Sequence, residues 1–274
     1  MAGSADEQVE ADSPRRAATV LGVRVDDVTM DETLDRILAL VADGRQTGRC
    51  HQVTTVNVDF VVNALEDDEL MAILNGASIS LPDGMAIVWG ARMVGEHLRT
   101  RVAGADLVPA LVGRAASAGR RIALYGGAPG VAERAAAILV ERSPGADIWA
   151  DAGPVFRDLD ELTDSHLEPL RAAAPDICCV AFGNPKQERF IARFGSGLGI
   201  PVMIGVGGTL DFLVGEQRRA PRWMQRTGLE WLHRASTDPR RLARRYARDA
   251  VVFLPRIGRD AITTRLHRRD SSHN

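Results

Sequence analysis

Two short runs, residues 177–182 and 202–206, are apolar at successive positions rather than at alternate ones. A strand of that kind has two faces to bury, and a parallel sheet with helices on either side covers both. The rest of the chain supplies matching parts. Strand-length segments at 19–25, 52–56, 78–81, 121–125, 147–150, 176–182 and 201–206 alternate with helical patterns. The helical patterns lie at 30–41, 59–75, 85–93, 106–117, 131–142, 159–173 and 186–194. This alternation predicts an α/β fold, a doubly wound, Rossmann-like, mostly parallel sheet with helices on both faces. Hydrophobic residues, at 45%, are ample for its core.

The two ends of the chain differ from this body. Residues 1–18 are small and polar, without the apolar stretch of a secretory signal, and predict a disordered segment ahead of an α/β domain over 19–217. No run approaches the ~20 apolar residues of a transmembrane helix. Cys50, Cys178 and Cys179 form neither a disulfide framework nor a metal-ligand pattern. The body therefore reads as reduced and cytoplasmic. From Arg218 onward, 15 Arg and no Lys face five acids, a charge of +10 that leaves −12 on the 217 residues before it. Such segregation marks the C-terminal end for an anionic partner.

Ala220-Pro221 breaks the chain, a helix follows over 223–234, and Asp238 is placed to cap another from Pro239. Within 239–254, Leu242, Tyr246, Ala250 and Phe253 fall on one side at about 100° per residue, with Arg241, Arg244, Arg245 and Arg248 on the other. This is a helical basic appendage, 218–254, whose apolar stripe either packs on the body or enters a lipid interface. A nucleic-acid arm is the other reading of the charge, and the apolar stripe argues against it. The helical pattern breaks at Pro255, which leaves 255–274 as a basic tail with no assigned role.

Doubly wound sheets bind ligands at the carboxyl ends of their strands. Five loops there are rich in small and polar residues: Thr55-Val56-Asn57, Pro82-Asp83-Gly84, 125–130, 182–188 and 205–211. Their glycines, Gly207 among them, let backbone amides approach a ligand, and the helix N-termini beyond favour phosphate. Turns and caps need the same residue types, so it is the five together that point to a nucleotide-sized cleft. Neither glycine cluster meets the dinucleotide spacing, and no Walker lysine follows one. Asp158-Leu159-Asp160 precedes a helix and reads as its cap rather than a metal site. His51, His97, His166 and His233 lack ligand spacing. No metal or cofactor is called for.

Asp83, between Pro82 and Gly84 at a strand end, is the sharpest candidate. Its carboxylate can take a proton from an attacking hydroxyl, or it can cap the helix that follows. Arg101 can pair with a diphosphate leaving group, or with Asp106 at the surface. Asn184 and Gln187 can recognise a base or sugar, or cap the helix from Lys186.

Thr55-x-Asn57, Pro82-Asp83-Gly84, Arg101-x-x-Gly104-x-Asp106, Gly183-x-Pro185-Lys186-Gln187-Glu188 and Gly205-Val206-Gly207-Gly208 resemble the ordered motifs of the WecG/TagA/CpsF glycosyltransferase family (glycosyltransferase family 26). Arg219-Ala220-Pro221, Glu230-Trp231-Leu232-x-Arg234 and Pro239-Arg240 continue the series. Each motif is short, and their shared order over about residues 20 to 254 makes the set specific. The resemblance implies inverting transfer of N-acetylmannosamine, its uronic acid or another hexose from a UDP-sugar to a polyprenyl-diphosphate-linked saccharide, for cell-surface polysaccharide. It implies a base at Asp83 and polar site residues at Thr55, Asn57, Arg101 and Gln187. It also implies an appendage that docks on the inner face of the plasma membrane and brings Arg234, Arg241 and Arg244 over the site, and it leaves room for a homo-oligomer.

The chemistry and the resemblance agree on metal-independent transfer, with Asp83 as base and arginines on the phosphates. The competing reading is a UDP-sugar-binding regulatory module without catalysis, which would release no UDP on addition of acceptor.

Overall fold

The computed structural model describes residues 16–237 and 239–271. The chain opens with a hairpin, β1 (Ala17–Val20) and β2 (Val23–Asp26), followed by α1 (Met30–Thr47) and β3 (His51–Val56). Next come α2 (Val58–Ala64), α3 (Asp68–Gly76), β4 (Ile79–Pro82), α4 (Met85–Met93) and α5 (Gly104–Ser117). The middle of the chain forms β5 (Ile122–Gly126), α6 (Val131–Arg142), β6 (Ile148–Asp151), α7 (Asp164–Ala173), β7 (Ile177–Ala181) and α8 (Lys186–Leu198). It ends with β8 (Val202–Gly205), α9 (Thr209–Leu213), α10 (Arg222–Arg226), α11 (Glu230–Thr237) and α12 (Pro239–Ser271).

Strands β3 to β8 form one six-stranded sheet in the order β4-β3-β8-β7-β5-β6, and every pairing in it is parallel. The doubly apolar runs lie at its centre, as their composition requires. Adjacent residues of β7 serve opposite faces: Cys179 packs with Leu107, Leu111 and Ile204, while Cys178 packs with Leu170, Phe190 and Met203. A third apolar cluster joins the hairpin, α2, α3 and α4 to α12 through Val20, Phe60, Ile87, Phe253 and Ile257.

Local signals account for several boundaries. Thr29 and Glu32 close a capping box at the start of α1, and Gly48 ends that helix at φ 73°. Asp158 caps a 3₁₀ turn over Leu159–Glu161, so the Asp158-Leu159-Asp160 tripeptide is a turn cap. The expected helix over 59–75 is two, because Asp67 accepts from the Leu70 amide and starts α3 afresh. The expected strand over 19–25 is a hairpin turned at Leu21-Gly22, both at positive φ. Of the segment read as disordered, residues 1–15 lie outside the described residues, and Ala17 and Ala18 belong to β1. The cap placed at Asp238 also lies outside them.

The largest departure is α12. It runs 33 residues and passes through Pro255 instead of stopping there. An interior proline costs a helix about 3 kcal/mol. Burial of Phe253, Ile257 and Ala261 on either side of it offsets that cost. The packed face is Leu242, Asp249, Phe253, Ile257 and Ala261, and Ala250 is exposed. Of the two readings of the apolar stripe, packing on the body holds for Leu242 and Phe253. A Cβ at Gly90 of α4 would come within 3.1 Å of the Phe253 ring, so the glycine lets the two helices approach without crowding.

Candidate active site

Asp83 stands immediately beyond β4. Its amide donates to the Val56 carbonyl at 2.8 Å, extending the β3–β4 register by one step and fixing the residue at the sheet edge. The cap of α4 is Gly84 (φ 127°), with no side-chain capping bond, so the Asp83 carboxyl is not used as a helix cap. Among the described residues it makes no hydrogen bond or ion pair. It is half-buried, and its pKa is pushed up to about 6, first by burial and then by the Glu230 carboxylate. Arg234, Arg101 and Arg219 act in the opposite direction.

Arg101 reaches the same edge because the Val102 amide donates to the Pro82 carbonyl at 2.9 Å. Its guanidinium donates to Glu230 Oε2 at 2.9 Å, to Gln225 Oε1 at 2.8 Å and to Asp106 Oδ2 at 3.4 Å. Asp106 is thus one partner of Arg101 among three. Arg219 forks onto both Asp106 oxygens at 2.6 Å and lies 3.9 Å from Glu230. Burial works to raise the Asp106 pKa, but the bonds and charge of Arg219, with Arg101 beyond, hold it below the ordinary carboxylate range.

The end of β8 is built around close packing. A Cβ at Gly205 would lie 2.5 Å from Glu188 Oε1 and 2.6 Å from Gln187 Nε2. Gln187 is fully buried: its Oε1 accepts from the amides of Gly183 and Gly207, and its Nε2 donates to Glu188 Oε1 at 2.8 Å. It therefore ties the loops after β7 and β8 together, and Gly207 is held by it. Burial raises the Glu188 pKa to about 8. Thr55 is buried and donates to the Gly205 carbonyl at 2.8 Å, and Asn57 caps α2 through the Phe60 amide. Asn184 donates to Asp59 at 3.1 Å, and its buried Oδ1 has no partner among the described residues. Neither Asn184 nor Gln187 caps α8, whose N-cap is Pro185.

Of the three appendage arginines, Arg234 reaches this edge. Its guanidinium lies 5.1 Å over the Phe212 ring and 4.0 Å from where a Gly208 Cβ would stand. Arg244 is exposed on α12, and the Arg241 side chain lies outside the described residues. Arg248, read as part of the basic face, donates to Asn63 of α2 and to Glu66 just beyond that helix. Beside the site, at the ends of β5, β6 and β7, a cavity of about 280 Å³ is lined by Gly127, Pro129, Gly153, Phe156, Phe182 and Lys186. Among the described residues no three His, Cys, Asp or Glu side chains are grouped to hold a metal ion, and no helix is long and apolar enough to cross a membrane.

Arg219, Gln225 and Glu230 were absent from the expected site. Arg219 and Glu230 stand in the ordered motifs, but nothing local in sequence says that they meet Arg101. The arrangement joins one uncommitted carboxyl to three arginines at the ligand edge of a parallel sheet. Such a constellation can accept a proton from a nucleophile and balance the charge of an anionic leaving group.

Residues 18–267 match the sequence profile of the Glycosyl transferase WecG/TagA/CpsF family. An N-acetylglucosaminyldiphosphoundecaprenol N-acetyl-beta-D-mannosaminyltransferase of Bacillus spizizenii (strain ATCC 23059 / NRRL B-14472 / W23) is 31% identical over 192 residues, 70% of this chain and 73% of the relative. The protein of the same name from Bacillus subtilis (strain 168) has the same identity and coverage. The one from Staphylococcus aureus (strain NCTC 8325 / PS 47) is 27% identical over 251 residues, 92% of this chain and 96% of the relative. The chain belongs to the WecG/TagA/CpsF family and is a glycosyltransferase.

Proposed function

We propose that this glycosyltransferase moves N-acetylmannosamine, or a closely related hexose, from a UDP-sugar to a saccharide carried on a polyprenyl diphosphate, with inversion at the anomeric carbon. The observation that carries this reading is the Asp83 carboxyl, uncommitted and half-buried, with a pKa of about 6, among Arg101, Arg219 and Arg234. The carboxylate takes the proton of the acceptor hydroxyl as its oxygen bonds to the anomeric carbon. The bond from that carbon to the diphosphate oxygen breaks, UDP leaves with the electron pair, and Arg101 and Arg234 balance its charge. A single base and a single displacement give inversion. The names of the relatives support N-acetylmannosamine as the sugar and a diphosphate-linked lipid as the acceptor. The glycine-lined cavity beside Lys186 supports a nucleotide on the same edge.

A lipid-borne acceptor asks for a surface that meets the membrane. Trp89, Trp223 and Trp231, on α4, α10 and α11 around the site, are all exposed, and tryptophan is favoured where bilayer meets water. On α12 a second apolar stripe, Val251, Leu254, Ile262 and Leu266, faces outward with Arg244, Arg259 and Arg265 exposed on the same helix. Apolar and cationic residues together fit an anionic inner leaflet. We assign the lipid-facing role to this exposed stripe, since Leu242 and Phe253 of the other are buried against the body. Release of UDP from a panel of UDP-sugars, with a short-chain polyprenyl-diphosphate saccharide as acceptor, tests the reading. Acceptor-dependent release supports it, whereas UDP binding without release from any donor points to a binding module.

A further inference from the structure

Glu230 is the first residue of α11, the helix that carries Arg234, and its carboxylate lies inside the arginine cluster. It receives Arg101 at 2.9 Å and lies 3.9 Å from Arg219. Both sides of the Arg101–Glu230 pair are largely shielded, with 15% and 23% of the side chains exposed. A carboxylate and a phosphate offer arginine the same paired-oxygen geometry, so any diphosphate reaching Arg101 meets a seat already held by an anion of the chain.

We propose that Glu230 is a positioning residue, a resident counter-anion that the donor's diphosphate displaces from Arg101, so that donor binding releases the first turn of α11 and repositions Arg234. This rests on the reading of Arg101 as a diphosphate ligand. It assigns to Glu230 a role opposite to that of a fixed buttress: its charge opposes donor binding and links that binding to the appendage. Among the described residues the same carboxylate is the anion that acts on Asp83, against Arg234 from its own helix, Arg101 from the α4–α5 connection and Arg219 from the segment before α10. Removing its charge while keeping its shape therefore affects two readouts that a purely structural role would leave alone.

The test compares Glu230→Gln, Glu230→Asp and Arg101→Ala in the full chain, by calorimetric titration with UDP and by the pH profile of kcat/KM. Glu230→Gln is expected to bind UDP about two- to fivefold more tightly, the range of a partly shielded ion pair. Its acid limb should move to lower pH, Glu230→Asp should stay near the parent in both, and the gain in affinity should vanish in the Arg101→Ala background. Unchanged or weaker UDP binding by Glu230→Gln, with Arg101→Ala clearly weakened, overturns the role of Glu230 alone. Unchanged UDP binding by Arg101→Ala overturns the diphosphate assignment beneath it as well.

Discussion

As the proposed base, Asp83 can act only when its carboxyl has lost its proton, and its surroundings make that harder. With a pKa of about 6, kcat/KM should rise as pH increases through about 6 and fall away below it. Rates measured between pH 5 and 8 at fixed ionic strength check this, and a flat profile would exclude Asp83 as the titrating group. Glu188 shows the same burial effect in a purely structural setting. Its folded pKa of about 8 lies above its ordinary 4.5, so the neutral form is the one that stabilises the fold. That contribution is complete below the unfolded pKa and is lost as pH rises from about 4.5 to about 8. Thermal unfolding of Glu188→Gln, which keeps an oxygen for the Gln187 amide, should show a shallower decline across that window than the parent. Gly205 tests the packing of the same pair, since a Cβ there meets both side chains. Gly205→Ala should cost about 1–3 kcal/mol by denaturant titration.

Elements differ in how far the sequence revealed them. β7 and β8 were plain because both their faces are apolar, and Asp83 was plain because Pro82 and Gly84 mark a strand end. Gln187 was singled out, but its tie between two loops was not legible, because a polar residue beginning a helix usually faces outward and this one turns in. The contact of Arg101 with Glu230 joins residues 129 apart and leaves no local trace. In α12 the packed face contains a buried aspartate, Asp249, whose pKa is raised to about 6 by burial and by Asp59. A reading by hydrophobicity slips past it to Ala250 and halts at Pro255. The two faces of α12 have separable roles. Phe253→Ala should lose about 3–5 kcal/mol of stability by opening the contact with Gly90. Leu254→Ser should stay within about 0.5 kcal/mol of the parent, yet float less well with anionic vesicles. Equal flotation of parent and Leu254→Ser would remove this stripe from the proposed membrane surface.

On the scale of the whole molecule, the sheet order puts β3, β4 and β8 side by side at one edge, so Asp83, Thr55 and the Gly205–Gly208 loop converge there. The C-terminal helices then return across α2 and α4 and bring Arg234 and Glu230 to the same place. Acidic body and basic end thus meet at the site. The direct test is UDP release from UDP-N-acetylmannosamine by the parent chain and by Asp83→Asn, with a polyprenyl-diphosphate-linked N-acetylglucosamine present or absent. The parent should release UDP only with acceptor, and Asp83→Asn should bind UDP equally well while losing about 10²- to 10⁴-fold in rate. Full activity in Asp83→Asn would contradict the assignment of Asp83 as the base.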